Sequence, residues 1–213
     1  MGVVLEESNM GKGVLKTGTT TVGLVFRDGV VLAADKKTTM GYMVESKESK
    51  KIYRVDEHIG ISVAGMVGDI LTMVRLLKAQ FKLYRLERGP IPVRAAATLI
   101  STILHGSKFF PYLVHLVVGG YDSKPRLFSF DALGGYSTKD RYYSTGSGSP
   151  FAYGVLEAGY REGLSKDEAV KLAVKAVKAA AERDIGSGFG IDVVVIDKKG
   201  YSEIPAQEIK RLA

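Results

Sequence analysis

Residues 20–26 are β-branched or apolar on both alternating faces, which predicts a strand with neither side open to water. Arg27-Asp28-Gly29 follows as a hairpin turn signal, and the apolar run 30–34 returns to end on Asp35. Two further strands are predicted at 51–55 and 59–64, joined by the polar Asp56-Glu57-His58 and stopped by Gly65. The spacing then changes. Ile70, Met73, Val74, Leu77, Phe81 and Tyr84 recur at helical intervals, giving an amphipathic helix to about Leu86. Gly89-Pro90 ends it, and Pro92 opens a second helix with Val93, Ala96, Ala97, Ile100 and Leu104 on one face. With so short a connection these two helices are expected to pack antiparallel. Strands resume at 113–121 and 126–130 around the turn Asp122-Ser123-Lys124-Pro125. A short strand at 141–145 runs into Gly146-Ser147-Gly148-Ser149-Pro150, where the proline suits the first turn of a third helix, 151–162. Ser165 and Glu168 form a capping box for a fourth helix striped by Val170, Ala173, Val174 and Val177. Gly186-Ser187-Gly188 interrupts, and 191–196 is a last strong strand. Residues 1–18 show no periodicity and read as a flexible arm.

Blocks of strands alternate with pairs of helices, an order that favours antiparallel sheets over parallel βαβ units. Each helix pair needs a sheet face to cover. The expected fold class is therefore α+β: a four-layer α/β/β/α sandwich of two antiparallel sheets.

Composition narrows the function classes. A chain of 213 residues suits one domain, and 46% hydrophobic with 25% charged residues is a globular balance. No window approaches the roughly 20 apolar residues that span a bilayer, and residues 1–16 lack a signal-peptide core, so a cytoplasmic protein without membrane partners is expected. The absence of cysteine excludes disulfides, thiolate metal sites and a cysteine nucleophile. A formal charge of +7 invites a nucleic-acid reading, but the basic residues stand singly or in pairs among acids, without an aromatic-interleaved groove. No nucleic-acid partner is expected. His58, His105 and His115 are far apart and no HExxH occurs, so no metal site is predicted. The turn 146–149 matches neither a P-loop nor GxSxG, and no cofactor is expected.

The candidate chemistry lies in Gly18-Thr19-Thr20-Thr21. If the Gly18–Thr19 bond were cut, one residue would carry both a hydroxyl and a free α-amine, whose pKa of about 8 suits a general base at neutral pH. The same run also reads simply as a strand. A hairpin centred on Asp28-Gly29 would bring Asp35 within about three strand positions of Thr19, roughly 10 Å along the sheet. Taken singly, Lys51 reads as a snorkelling lysine and Asp184 as a solvated helix end.

In order, the motifs TG-TTTVG, AAD, KKIY, SVAG, STGSGSPFAYGVLE and RDIGSGFGIDVV closely resemble the β-subunit family of the archaeal-type proteasome core particle, from residue 18 to about 197. The resemblance implies an N-terminal nucleophile hydrolase fold. It implies that residues 1–18 are a propeptide removed by self-cleavage between Gly18 and Thr19, leaving one catalytic domain, 19–213. Thr19 would be the nucleophile, Asp35 and Lys51 the acid and base beside it, and Gly65 the backbone N–H of an oxyanion hole. Ser147, Asp184 and Ser187 would orient the Thr19 amine and hydroxyl. Thr38, Ser49, Tyr53, Val63 and Val67 would shape the specificity pocket, whose uncharged Val63 suggests cleavage after apolar or aromatic residues. Lys37 departs from the family's frequent arginine, with loss of fork geometry, and Gly186 and Phe189 vary the surroundings of Ser187. The implied partners are other β subunits in heptameric rings, α-subunit rings, an unfolding ATPase ring and protein or peptide substrates. The competing readings are a non-catalytic ring subunit, the related bacterial two-ring peptidase and a basic nucleic-acid-binding domain.

Overall fold

The computed structural model describes residues 18–212, so the arm expected at 1–18 lies outside the described residues except for Gly18. The first expected hairpin is formed by β1 (Thr21–Phe26) and β2 (Gly29–Asp35). A small ribbon follows, β3 (Thr38–Met40) with β4 (Met43–Ser46), and then β5 (Ile52–Asp56) and β6 (Ile59–Gly65). Two helices, α1 (Val67–Arg88) and α2 (Val93–Gly106), lead to β7 (Val114–Tyr121), β8 (Pro125–Phe130), β9 (Tyr136–Thr138) and β10 (Tyr142–Thr145). After α3 (Ser149–Gly159) and α4 (Lys166–Ala181) the chain ends in β11 (Ile191–Asp197), β12 (Gly200–Glu203) and α5 (Ala206–Leu212).

The strands form two five-stranded sheets, in the orders β10-β1-β2-β11-β12 and β5-β6-β7-β8-β9, while β3-β4 stands apart. All their pairings are antiparallel. The side chains of β2 show why the sheets stack. Val31 and Ala33 face a cluster with Val170, Ala173, Val174 and Val177 of α4. Val30, Leu32 and Ala34, on the opposite face, meet Val117 of β7 and Leu127 of β8. A strand so placed must be apolar along its length, as β2 is from Val30 to Ala34, and all seven of its residues, the terminal Asp35 included, are buried. Gly23 of β1 lies where the sheets approach closely, since a Cβ there would stand 2.7 Å from Leu127 and 2.8 Å from Val117. The other sheet buries its outer face under α1 and α2, where Ile59, Ile61 and Val63 join Met73, Leu77, Phe81, Ile100 and Leu104.

α1 and α2, expected to pack antiparallel, share one buried apolar cluster over the sheet. Their connection contributes the buried Ile91, between Pro90 and Pro92, to that cluster. The closely packed pair is α3 with α4, the second of which starts on the expected Ser165–Glu168 capping box. No helix among the described residues is long and apolar enough to cross a membrane.

The start of α2 has no capping side chain of its own. Asp122, in the β7–β8 turn, takes that part by accepting the Val93 N–H at 3.0 Å, together with the Ser123 N–H at 2.6 Å and the Arg126 Nε at 3.0 Å. Burial pushes the Asp122 carboxyl up, but these N–H groups and the guanidinium outweigh it and hold the group below its ordinary value. A depressed carboxylate stabilises the fold above its unfolded value and loses that effect as pH falls through the folded one. Asp122→Ala should therefore lower the melting temperature by about 2–4 °C at neutral pH. The gap should close as the pH drops below the ordinary carboxyl value of 3.8; a gap of constant size would exclude the ionised carboxylate as its cause.

Candidate active site

The β1–β2 hairpin sets the first contact. Phe26 pairs with Gly29, so the turn residues are Arg27 and Asp28, one position earlier than the sequence suggests. Each residue by which a turn is re-centred slides the facing strands by two, so the pairing Thr21–Ala34 brings Asp35 opposite Thr20. The expected separation of roughly 10 Å becomes a hydrogen bond: the Thr19 hydroxyl lies 3.3 Å from Asp35 Oδ1. The same oxygen accepts the Thr20 N–H at 2.8 Å.

Asp35 is 1% exposed, and a carboxylate so buried needs donors on every side. Its Oδ2 accepts the N–H groups of Lys37 and Gly188, each at 3.0 Å. Its counter-charge comes from Lys51, just before β5, whose Nζ donates to Oδ1 at 2.7 Å and to the Lys37 carbonyl at 2.5 Å. Burial lowers the pKa of Lys51 below that of a free lysine, against the pull of the Asp35 charge and hydrogen bond. The outcome is an ammonium that gives up its proton more readily than a surface lysine, within reach of the Thr19–Asp35 pair.

A second polar group closes on the Thr19 nitrogen. Ser147, in the turn before α3, accepts the Thr19 N–H at 3.1 Å and donates to Asp184 Oδ2 at 2.6 Å. Ser187 donates to the same oxygen at 2.6 Å and meets the Thr20 hydroxyl at 2.7 Å. Asp184 sits just beyond the end of α4, where its own N–H still bonds back to Ala180. The glycine-rich turn 146–149 and the break 186–188 thus meet across Thr19. Gly186 approaches Gly18 so closely that a Cβ on it would lie 2.3 Å from the Gly18 Cα.

Gly65 ends β6 with φ +138, where a Cβ would stand 2.0 Å from the Leu113 carbonyl oxygen. It joins Thr19 in the wall of a cavity of about 190 Å³. All five residues expected to shape a pocket line that cavity: Thr38, Ser49, Tyr53, Val63 and Val67. The Thr38 hydroxyl donates to Ser49 at 2.6 Å and the Tyr53 hydroxyl to the Lys50 carbonyl at 2.8 Å, fixing two walls. Ala64 and Ile70 add apolar surface that the sequence reading did not anticipate. The lining lysines are both engaged elsewhere, Lys51 with Asp35 and Lys50 with Glu203 at 2.9 Å.

Other contributors went unread in the sequence because they act through backbone. The Lys37 carbonyl, the Gly188 N–H and the Thr20 N–H carry no residue-type signal. Thr39, whose hydroxyl accepts the Gly18 N–H at 3.0 Å, was hidden in a short ribbon. A wider cleft of about 660 Å³ at the other end of the strands, bordered by Arg54, His58, Arg85 and Lys199, contains none of the expected residues. Its Arg85 is already paired with Asp56 and Glu57, and no nucleophile–base pair lines it. No His/Asp/Glu group among the described residues could hold a metal ion. The Thr19 cavity therefore has the stronger chemical case: a buried hydroxyl on a lysine-paired carboxylate, beside a pocket of peptide side-chain dimensions.

Known proteins give the same direction. The pattern described as "Proteasome subunit" matches residues 15–196. A Thermococcus gammatolerans protein named proteasome subunit beta 1 is 53% identical over 188 residues, covering 88% of this chain and 93% of its own. Proteasome subunit beta 2 of Pyrococcus furiosus is 51% identical over 196 residues, 92% of this chain and 95% of its own. Proteasome subunit beta of Methanoregula boonei is 50% identical over 197 residues, 92% of each chain. At this identity over almost the whole described fold, the chain belongs to the proteasome subunit family.

Proposed function

We propose that this chain is a threonine endopeptidase, the catalytic β subunit of a proteasome core particle that degrades unfolded proteins to peptides. The observation that carries the reading is the Thr19 hydroxyl on Asp35 Oδ1, which Lys51 shares at 2.7 Å, with the Thr19 nitrogen held on Ser147. Autocleavage of the Gly18–Thr19 bond removes residues 1–18 and leaves 19–213 as a single catalytic domain. The freed amine then takes the proton of the Thr19 hydroxyl as its oxygen attacks a substrate carbonyl. Lys51, paired with Asp35, supplies the positive charge that favours the developing alkoxide. The carbonyl oxygen becomes an oxyanion facing the Gly65 N–H. The C–N bond breaks, its nitrogen leaves with a proton, and water hydrolyses the threonine ester to regenerate the hydroxyl. Ser147, Asp184 and Ser187 keep the amine and hydroxyl in register.

The layering supports a four-layer α/β/β/α sandwich of the N-terminal nucleophile hydrolase type, since clusters of apolar side chains lie under each helix pair and between the sheets. The relatives' names point to assembly with other proteasome subunits, and the partners in this reading are copies of a β subunit in heptameric rings, flanking rings of α subunits, and an unfolding ATPase that feeds protein substrates. A cytoplasmic location completes the reading, because confinement in a barrel keeps an unspecific peptidase from its neighbours.

The test is assembly with an α subunit followed by intact mass, N-terminal sequencing and hydrolysis of a peptide set. The expected result is a chain beginning at Thr19, labelled there by a hydroxyl-reactive electrophile. Val63, Ala64 and Ile70 should favour Leu, Tyr or Phe before the cut over Glu or Asp by at least about tenfold, the discrimination expected of an apolar pocket. A particle that retains residues 1–18 and takes no label is a non-catalytic ring subunit. Equal turnover of acidic peptides removes the assigned preference.

A further inference from the structure

Among the described residues, Phe189 is the one non-glycine residue with positive φ, at 59°. A bulky side chain is unfavourable there, and such strain persists where surrounding contacts hold it. The ring is also 51% exposed, so burial of apolar surface does not account for its place. Its neighbours do. The Lys37 ammonium lies 5.5 Å and the Lys47 ammonium 5.0 Å from the ring centre, within range of attraction to a π face. Lys37 also donates to the Ile185 carbonyl at 2.6 Å, binding it to the same loop.

These two lysines belong to different stretches of chain. Lys37 directly precedes Thr38, and Lys47 lies two residues before Ser49. Thr38 and Ser49 are the hydrogen-bonded pair that walls the cavity beside Thr19. The ribbon β3–β4 between them pairs with neither large sheet, so its hold on the body depends on contacts at its base. The Ser49 N–H gives one, to the Lys36 carbonyl at 2.9 Å. The Phe189 ring gives another, spanning both stretches from the loop whose Gly188 N–H supports Asp35.

We propose that Phe189 is a positioning residue for substrate binding: its ring ties the two chain segments that carry Thr38 and Ser49, and so fixes the width of the specificity pocket. The inference rests on the endopeptidase reading above. It makes the backbone strain at Phe189 part of pocket construction. Stability and substrate affinity should then respond in opposite directions when the ring is removed by a residue that accepts positive φ.

The experiment uses the assembled particle with its α subunit and steady-state hydrolysis of a short peptide with leucine before the cut. Phe189→Asn keeps the left-handed backbone but removes the ring. KM should rise about three- to fivefold, the scale of one exposed cation–π contact, with kcat within about twofold of the original. The melting temperature should hold or rise. Phe189→Tyr should restore the original KM. Lys47→Met should raise KM similarly and add little on top of Phe189→Asn. The role is overturned by an unchanged KM in Phe189→Asn, by Phe189→Tyr behaving like Phe189→Asn, or by full additivity with Lys47→Met. If Phe189→Asn fails to assemble, Phe189→Tyr and Lys47→Met decide the matter alone. An active original particle with unaffected variants refutes this role only; an inactive original particle refutes the endopeptidase reading and this role with it.

Discussion

Thr19→Ala should reduce peptide hydrolysis by at least about 10⁴-fold, the scale on which loss of a nucleophile acts in an acyl-transfer site. The same variant should keep residues 1–18 attached, since on the proposed mechanism the hydroxyl that cuts substrates would also cut the Gly18–Thr19 bond. The fold should survive. Thr19 precedes β1 and contributes one 3.3 Å hydroxyl contact to Asp35, whereas the carboxylate keeps Thr20, Lys37, Gly188 and Lys51 as donors. Activity and processing are read together, by peptide turnover and intact mass on the assembled particle. A Thr19→Ala chain that still begins at residue 19 and turns over substrate at the original rate would exclude this hydroxyl from both reactions.

The second large effect is expected at Lys51. Lys51→Met retains an unbranched side chain in the 6% exposed slot but removes the ammonium. The rate should fall by about 10²–10⁴-fold, the usual weight of a positioned proton-transfer or charge-stabilising group. Stability should fall as well, by up to about 3 kcal/mol, since Asp35 is left buried without its counter-charge. The four remaining donors to Asp35 argue for the lower part of that range. Lys51→Arg separates charge from proton exchange. A guanidinium keeps the positive charge but cannot give up its proton, and its planar fork does not match the single Nζ position between Asp35 Oδ1 and the Lys37 carbonyl. With Lys51 pushed below the ordinary lysine value of 10.5 by burial, the original rate should change with pH as that proton leaves, on the acid side of 10.5. Folding responds with a definite sign too: a lysine whose folded value is lowered binds its proton better when unfolded, so stability relative to Lys51→Met should rise with pH through that window. Full activity in Lys51→Arg with an unaltered pH profile would exclude proton exchange at Lys51 and leave its positive charge as its whole contribution.

How far the sequence reveals this arrangement depends on the kind of signal. Helices α1, α2 and α4 announce themselves by repeated apolar spacing, and β1, β2 and β11 by continuous apolar runs. β3, β4, β9 and β12 were missed because three or four partly exposed residues hold too few positions for any period to register. The placing of Asp35 was right in direction and wrong in register, since turn type alone does not say whether Arg27 or Asp28 begins the loop. Thr19, Asp35, Lys51, Ser147, Asp184 and Ser187 come together in space, but only the order of motifs singled them out. Periodicity could not, because these side chains point into the site from strand ends and turns. The backbone groups that complete the cluster belong to residues whose side chains do other things, or nothing.

The two serine contacts to Asp184 carry a consequence for the direction of proton traffic. A serine has a single proton to give, and at 2.6 Å from a carboxylate oxygen the proton of Ser147 is committed there. Its longer contact, 3.3 Å to the Thr19 carbonyl oxygen, competes weakly for that proton, so towards the Thr19 nitrogen Ser147 receives. Any nitrogen at that position, amide or amine, must spend an N–H on it. Once Gly18 is gone, the amine's lone pair is consequently the part of the group left unspent. On the proposed mechanism Asp184, which shares no hydrogen bond with Thr19, would act as a polarity setter: by holding the Ser147 proton it would leave the nitrogen to serve as the base.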